Sequence, residues 1–123
     1  MKSFRELKVW QAAMELVEKI YQVTKEFPKE ELYGLTSQVR RAAVSVPSNI
    51  AEGHTREHLK EYLHHISMVQ ASLAEVDTQL EIGKRLRYIS AGRLSTIQAD
   101  LSSLGKQMYS LRNALLRKST PQQ

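Results

Sequence analysis

The sequence predicts an all-α protein: an antiparallel up-down-up-down four-helix bundle forming one domain over residues 1–118, with a short tail at 119–123. Three observations predict it. Apolar residues recur at steps of three and four through four long segments. The segments are joined by short proline-, glycine- or serine-containing turns. No segment alternates apolar and polar residues as a half-buried strand would. A chain of 123 residues suits one domain.

The first helix is expected from about Arg5 to Glu26, with Leu7, Trp10, Met14, Val17, Tyr21 and Thr24 as its inward row. Pro28 stops it, because the residue before a proline is pushed out of the α region. The second is expected to open at Pro28–Glu31 and to bury Leu32, Leu35, Val39, Ala42, Val46 and Ile50, with Gly53 as its C-cap. Pro47 removes a backbone donor and crowds the carbonyl of Ala43, so a kink or a split near Ala43–Val46 follows. The third helix is expected from a Thr55 N-cap, with Tyr62, Ile66, Val69, Leu73, Val76 and Leu80 as its seam. The fourth, from Ser90 or Arg93 to Arg117, has the most regular row: Leu94, Ile97, Leu101, Leu104, Met108, Leu111 and Leu115.

Composition removes much chemistry. With no cysteine there are no disulfides, thiolate metal sites or thiol nucleophiles. No apolar run approaches the roughly 18–20 residues of a membrane span. The charged start, MKSFRELKVW, lacks a signal peptide's apolar stretch, and a cytoplasmic protein is expected. Gly-x-Ser-x-Gly elbows and Gly-rich phosphate loops are missing, so an enzyme and a bound cofactor are not expected.

Charge is unevenly placed. Residues 84–123 hold eight Lys/Arg and a single acid, Asp100. Lys84, Arg85, Arg87, Arg93, Arg112, Arg117 and Lys118 are the candidate phosphate contacts, with Arg40 joining them if exposed. Surplus apolar positions off the inward rows, namely Val9, Leu16, Val23, Val44, Ala51 and Leu116, point to a symmetric oligomer.

The segment Tyr33–Gly53 combines an Arg pair, small residues and a mid-helix proline. Gln38, Arg41, Ser45, Ser48 and Glu52 lie along one face, opposite the apolar one. The motif residues are Trp10, Gln38, Arg40, Arg41, Pro47, Asn49, Glu52, Gly53 and Glu75, with Arg41 expected to be at least half-buried and paired to Glu75. These residues, with Phe27-Pro28, Tyr33-Gly34-Leu35, the run Arg40–Gly53 and Thr78-Gln79-Leu80, resemble the bacterial four-helix-bundle proteins first noticed as reading frames inside intervening sequences of 23S rRNA genes. The resemblance covers most of residues 4–88 and fades in the fourth helix. Ala71 stands where that pattern has glycine. The resemblance implies a left-handed bundle that assembles into a homopentameric ring. It also implies kinship with accessory proteins of diversity-generating retroelements, basic bundles that bind RNA or DNA and a reverse transcriptase. It implies no catalytic activity.

The histidines are the candidate metal ligands. His58, Glu61 and His65 would share a helical face, with His54 one turn earlier. His54 abuts the Gly53 break and no HExxH is present, so no metal site is expected. Di-iron chemistry fails because only one Glu-x-x-His, Glu61–His64, occurs. Two functional readings remain: a ring binding nucleic acid through a basic surface, and a scaffold binding another protein. They differ in whether the basic residues of the third and fourth helices converge on one accessible face.

Overall fold

The computed structural model describes residues 3–119, which form four long helices with no strand among them. The helices are α1 (Lys8–Thr24), α2 (Leu35–His54), α3 (Leu59–Arg85) and α4 (Ala91–Ser119). Short 3-10 turns at Phe4–Glu6 and Lys29–Glu31 precede α1 and α2. No helix is long and apolar enough to cross a membrane among the described residues. Of the tail expected at 119–123, Ser119 closes α4 and the rest lies outside the described residues.

The inward row of α1 differs from the expected one. Ala13, Leu16, Ile20 and Val23 are buried, and Phe27 continues the row beyond the helix. Met14 and Tyr21 are 41% and 39% exposed, while Trp10 and Val17 are half-buried. The helix carries two apolar rows, and the row of larger side chains is not the inner one. The core instead takes the row whose steps of three and four are completed by Ala13 and Ile20.

α2 starts at Leu35 rather than Pro28. Glu31 supplies its missing cap, since Glu31 Oε1 accepts the Leu35 N–H at 3.0 Å. Gly34 fits there because a Cβ would stand 2.7 Å from Glu31 Oε1. Leu32 is consequently outside the helix and about half exposed. Past Pro47 the helix is unbroken, which removes the split. Side chains serve carbonyls around the proline: Ser45 Oγ donates to Ala42 O, Ser48 Oγ to Val44 O and Asn49 Nδ2 to Ser45 O.

Gly53 is helical and not a C-cap. Its role is close approach: an added Cβ would lie 2.8 Å from His65 Cβ and 3.2 Å from Tyr62 Cδ1 on α3. Thr55 closes α2 instead of opening α3, its Oγ1 donating to Glu52 O, and His58 is the residue before α3. Contacts between α2 and α3 step backwards along α3 as they advance along α2: Ser45 Oγ lies 2.6 Å from Ser72 Oγ, and Asn49 Oδ1 2.9 Å from His65 Nδ1.

The expected seams of α3 and α4 agree with the structure except at their ends, where Tyr62, Leu111 and Leu115 are half-buried. Ile66, Val69, Leu73, Val76 and Leu80 are buried, as are Leu94, Ile97, Leu101, Leu104 and Met108. Ser90 Oγ accepts the Arg93 N–H and caps α4. α3 ends in a Schellman closure, with Tyr88 N–H to Gly83 O at 2.8 Å and Arg87 N–H to Lys84 O at 2.9 Å. The left-handed position of that motif usually falls to glycine; here Arg87 occupies it at φ 68°. Gly83 lies beneath Phe27, whose ring would be 3.1 Å from an added Cβ.

Candidate functional site

The candidate phosphate contacts do not converge. Lys84, Arg85, Arg87 and Arg93 flank the turn between α3 and α4. Arg112, Arg117 and Lys118 lie toward the other end of α4. Arg93 and Arg112 are separated by about 28 Å of helix at about 1.5 Å per residue. Two of the seven are also neutralised. Arg93 is paired with Glu26, and Arg85 Nε lies 3.1 Å from Glu81 Oε2. Lys84, Arg87, Arg117 and Lys118 are exposed and Arg112 is half-buried; none has an ion pair among the described residues. The expected single basic end is therefore two clusters. A linear count of charge cannot tell the start of a long helix from its end.

Arg40 is not a free phosphate contact. Its Nε donates to Thr24 Oγ1 at 2.8 Å, and its guanidinium stacks 4.5 Å from the Tyr21 ring centroid. A terminal N–H also reaches Tyr21 O at 3.4 Å. A cation at the last turn of α1 meets the negative end of the helix dipole, so Arg40 ties α2 to the end of α1.

Arg41 is exposed rather than half-buried, and it makes no ion pair with Glu75 among the described residues. Both line an open groove of about 470 Å³ between α2 and α3, with Gln38, Ser45, Asn49 and Ser72. Solvation on an exposed face competes with pairing of two flexible charged side chains. Glu75 Oε2 instead accepts a long bond from Gln79 Nε2 at 3.4 Å. Glu52 is exposed. Pro47 and Asn49 are buried in the α2 contacts described above.

The histidine set is dispersed. His58 precedes α3, so it does not continue the helical face of Glu61 and His65. Asn49 fixes His65: its Nδ2 donates to Ser45 O, which leaves Oδ1 to accept the His65 Nδ1–H. His54 Nδ1 lies 3.2 Å from Tyr62 Oη, and burial pushes the Tyr62 phenol up from its ordinary pKa. Among the described residues, no group of three His, Asp or Glu comes together as a cation would require.

Two surfaces stand out. The first is the outer row of α1, Trp10, Met14, Val17 and Tyr21, with Arg40 of α2 stacked on Tyr21 and the 40%-exposed Val44 one turn further along α2. Trp10 is held there by an edge contact with Phe4, 5.4 Å between centroids. The second was missed in the sequence. Tyr33 is 93% exposed, and Leu32 and Leu86 are about half exposed. Tyr88 joins their two segments by donating from Oη to Glu31 Oε2 at 2.9 Å, which holds its phenol proton above the usual range. The second helix expected from Pro28 runs straight through Tyr33-Gly34. Nothing in the sequence said that the tyrosine would face outward.

The model of the 23S rRNA-intervening sequence proteins matches residues 5–110, and the chain belongs to that family. No curated protein matches it. Among solved structures, it is similar to a protein of unknown function from the S23 ribosomal protein family of Bacteroides thetaiotaomicron. That likeness covers 85% of this chain and 97% of the other at 19% identity, with a TM-score of 0.78, and it is a likeness of fold.

Proposed function

We propose that this member of the 23S rRNA-intervening sequence protein family is a non-enzymatic, self-assembling helical scaffold of the cytoplasm. The observation that carries this reading is the second apolar row of α1, whose Trp10 and Val17 only border the core and whose Met14 and Tyr21 are exposed, together with the exposed Val44 of α2. A helix in a monomeric bundle needs one apolar stripe; this one has two. Aromatic and methionine side chains on that row are the types that enrich interface centres. Such faces are covered in closed symmetric assemblies, and a homopentameric ring is the one the family resemblance favours. An antiparallel, left-handed course with a bend at Pro47 belongs to the same reading. It is supported by the backward-stepping contacts of α2 and α3. The test is the mass of the native protein by light scattering. A multiple of 14.1 kDa is expected, and 14.1 kDa at every concentration would refute the reading.

A second reading, binding of an RNA or DNA backbone, is favoured by one observation. After Asp100, α4 carries Lys106, Arg112, Arg117 and Lys118 with no acid. An assembly repeats that segment and adds its field. Binding would then be salt-sensitive and indifferent to sequence. Titration of a labelled RNA hairpin at low and high salt tests it, and no binding at low salt would exclude it.

A further inference from the structure

The Tyr33 corner combines features that a scaffold surface does not need. Tyr33 is the most exposed of the large apolar side chains, on a loop pinned from both sides. Glu31 binds the Leu35 N–H with one oxygen and the Tyr88 hydroxyl with the other. Phe27 packs on Tyr88 at 5.5 Å and over Gly83, fixing the α3–α4 turn against the loop. Leu32 and Leu86 add exposed apolar surface on the two joined segments. Three cations that make no ion pair among the described residues belong to these segments: Lys29, Lys84 and Arg87. Glu30 and Glu31 are the acids on the same segments. Arg87 holds a left-handed backbone that glycine would take without strain.

We propose that this corner binds single-stranded nucleic acid, with Tyr33 stacking on an unpaired base and Arg87, Lys84 and Lys29 holding the flanking phosphates. The inference deepens the backbone-binding reading above and rests on it. A free aromatic face with cations around it matches the two parts of a nucleotide, a π-face and an anion. In a duplex the base faces are stacked on one another and closed to a side chain on a loop, so single strands are preferred. The surroundings are rigid, so little ordering is needed on binding.

The experiment is fluorescence anisotropy of a labelled oligouridylate and of a labelled duplex, at low and high salt. Four proteins are compared with the native one: Tyr33→Ala, Tyr33→Phe, Arg87→Gly and the triple change Arg112→Gln, Arg117→Gln, Lys118→Gln. Tyr33 faces solvent and glycine suits the Arg87 backbone, so these variants keep the fold. Tyr33→Ala should weaken single-strand binding by about 10-fold, and Tyr33→Phe should restore it. Arg87→Gly should lower the salt slope by about one. The triple change should leave the preference for single strands intact. Unaltered binding by Tyr33→Ala, or a native preference for duplex, would overturn the corner. If the triple variant then loses binding, the backbone reading survives without it. No binding of either nucleic acid at low salt would overturn both.

Discussion

Gly53→Ala should destabilise the protein, although it replaces a poor helix former with the best one. In an exposed helix interior, Gly→Ala gains up to about 1 kcal/mol. At Gly53 the new methyl would lie 2.8 Å from His65 Cβ and 3.2 Å from Tyr62 Cδ1. Carbon atoms pack best at about 3.5–4.0 Å, so the nearer contact is short by roughly 0.7 Å. The atom it meets is a Cβ, fixed to the α3 backbone, so no side-chain rotation relieves the clash. Overpacking of this kind costs about 1–3 kcal/mol. The net effect is a loss of about 1 kcal/mol, or several degrees of melting temperature in a domain of this size. Gly105→Ala is the matched control. Gly105 is also helical, a Cβ there meets nothing within 4 Å, and the change should stabilise. Thermal melts by circular dichroism at one protein concentration give both signs, the concentration being held because assembly shifts the transition. If Gly53→Ala raised the melting temperature as much as Gly105→Ala, the close crossing of α2 and α3 would be wrong.

Other outcomes follow from the same geometry. Arg87→Gly should stabilise by about 1 kcal/mol, because glycine removes the cost of the left-handed position; an unchanged or lower urea midpoint would contradict that. Arg40→Ala should cost about 1–2 kcal/mol through the lost Thr24 bond and Tyr21 stacking, and Arg40→Lys should recover only part of it, both read from urea melts. Tyr88→Phe should lower the melting temperature at neutral pH. The Tyr88 proton is held by Glu31, so the folded phenol titrates above its ordinary value of 10.0. Its contribution is full below that ordinary value and is lost as pH rises through the raised one. The gap between Tyr88→Phe and native protein should therefore close in strong alkali, and a gap independent of pH would contradict the bond.

The helical class was legible because periodicity is a local signal, and α4 follows its expected row from Leu94 to Met108, with Leu111 and Leu115 half-buried against the core. Which side of α1 faces inward was not legible, because Trp10-Met14-Val17-Tyr21 and Ala13-Leu16-Ile20-Val23 have equally good spacing. Only the partners on α2 and α4 decide between them. The start of α2 was missed because its cap comes from Glu31, which acts from the preceding turn instead of the usual N-cap position. The candidate phosphate contacts were legible as residue types and illegible as a surface. Arg93 and Arg85 find acids by tertiary and helical proximity, and Arg40 turns inward onto Thr24. Arg41 and Glu75 line one groove without the expected ion pair, because both are exposed to solvent.

The central claim is that the outer row of α1, with Val44, is covered by another copy of the chain. The direct measurement is the light-scattering mass of Val44→Glu beside that of Tyr109→Glu, a control at another exposed apolar residue. A charge buried without a partner is costly, whereas one left in water is not. The account predicts that Val44→Glu falls to the 14.1 kDa of a single chain while Tyr109→Glu keeps the native mass. A Val44→Glu protein that retains the native assembly would contradict it.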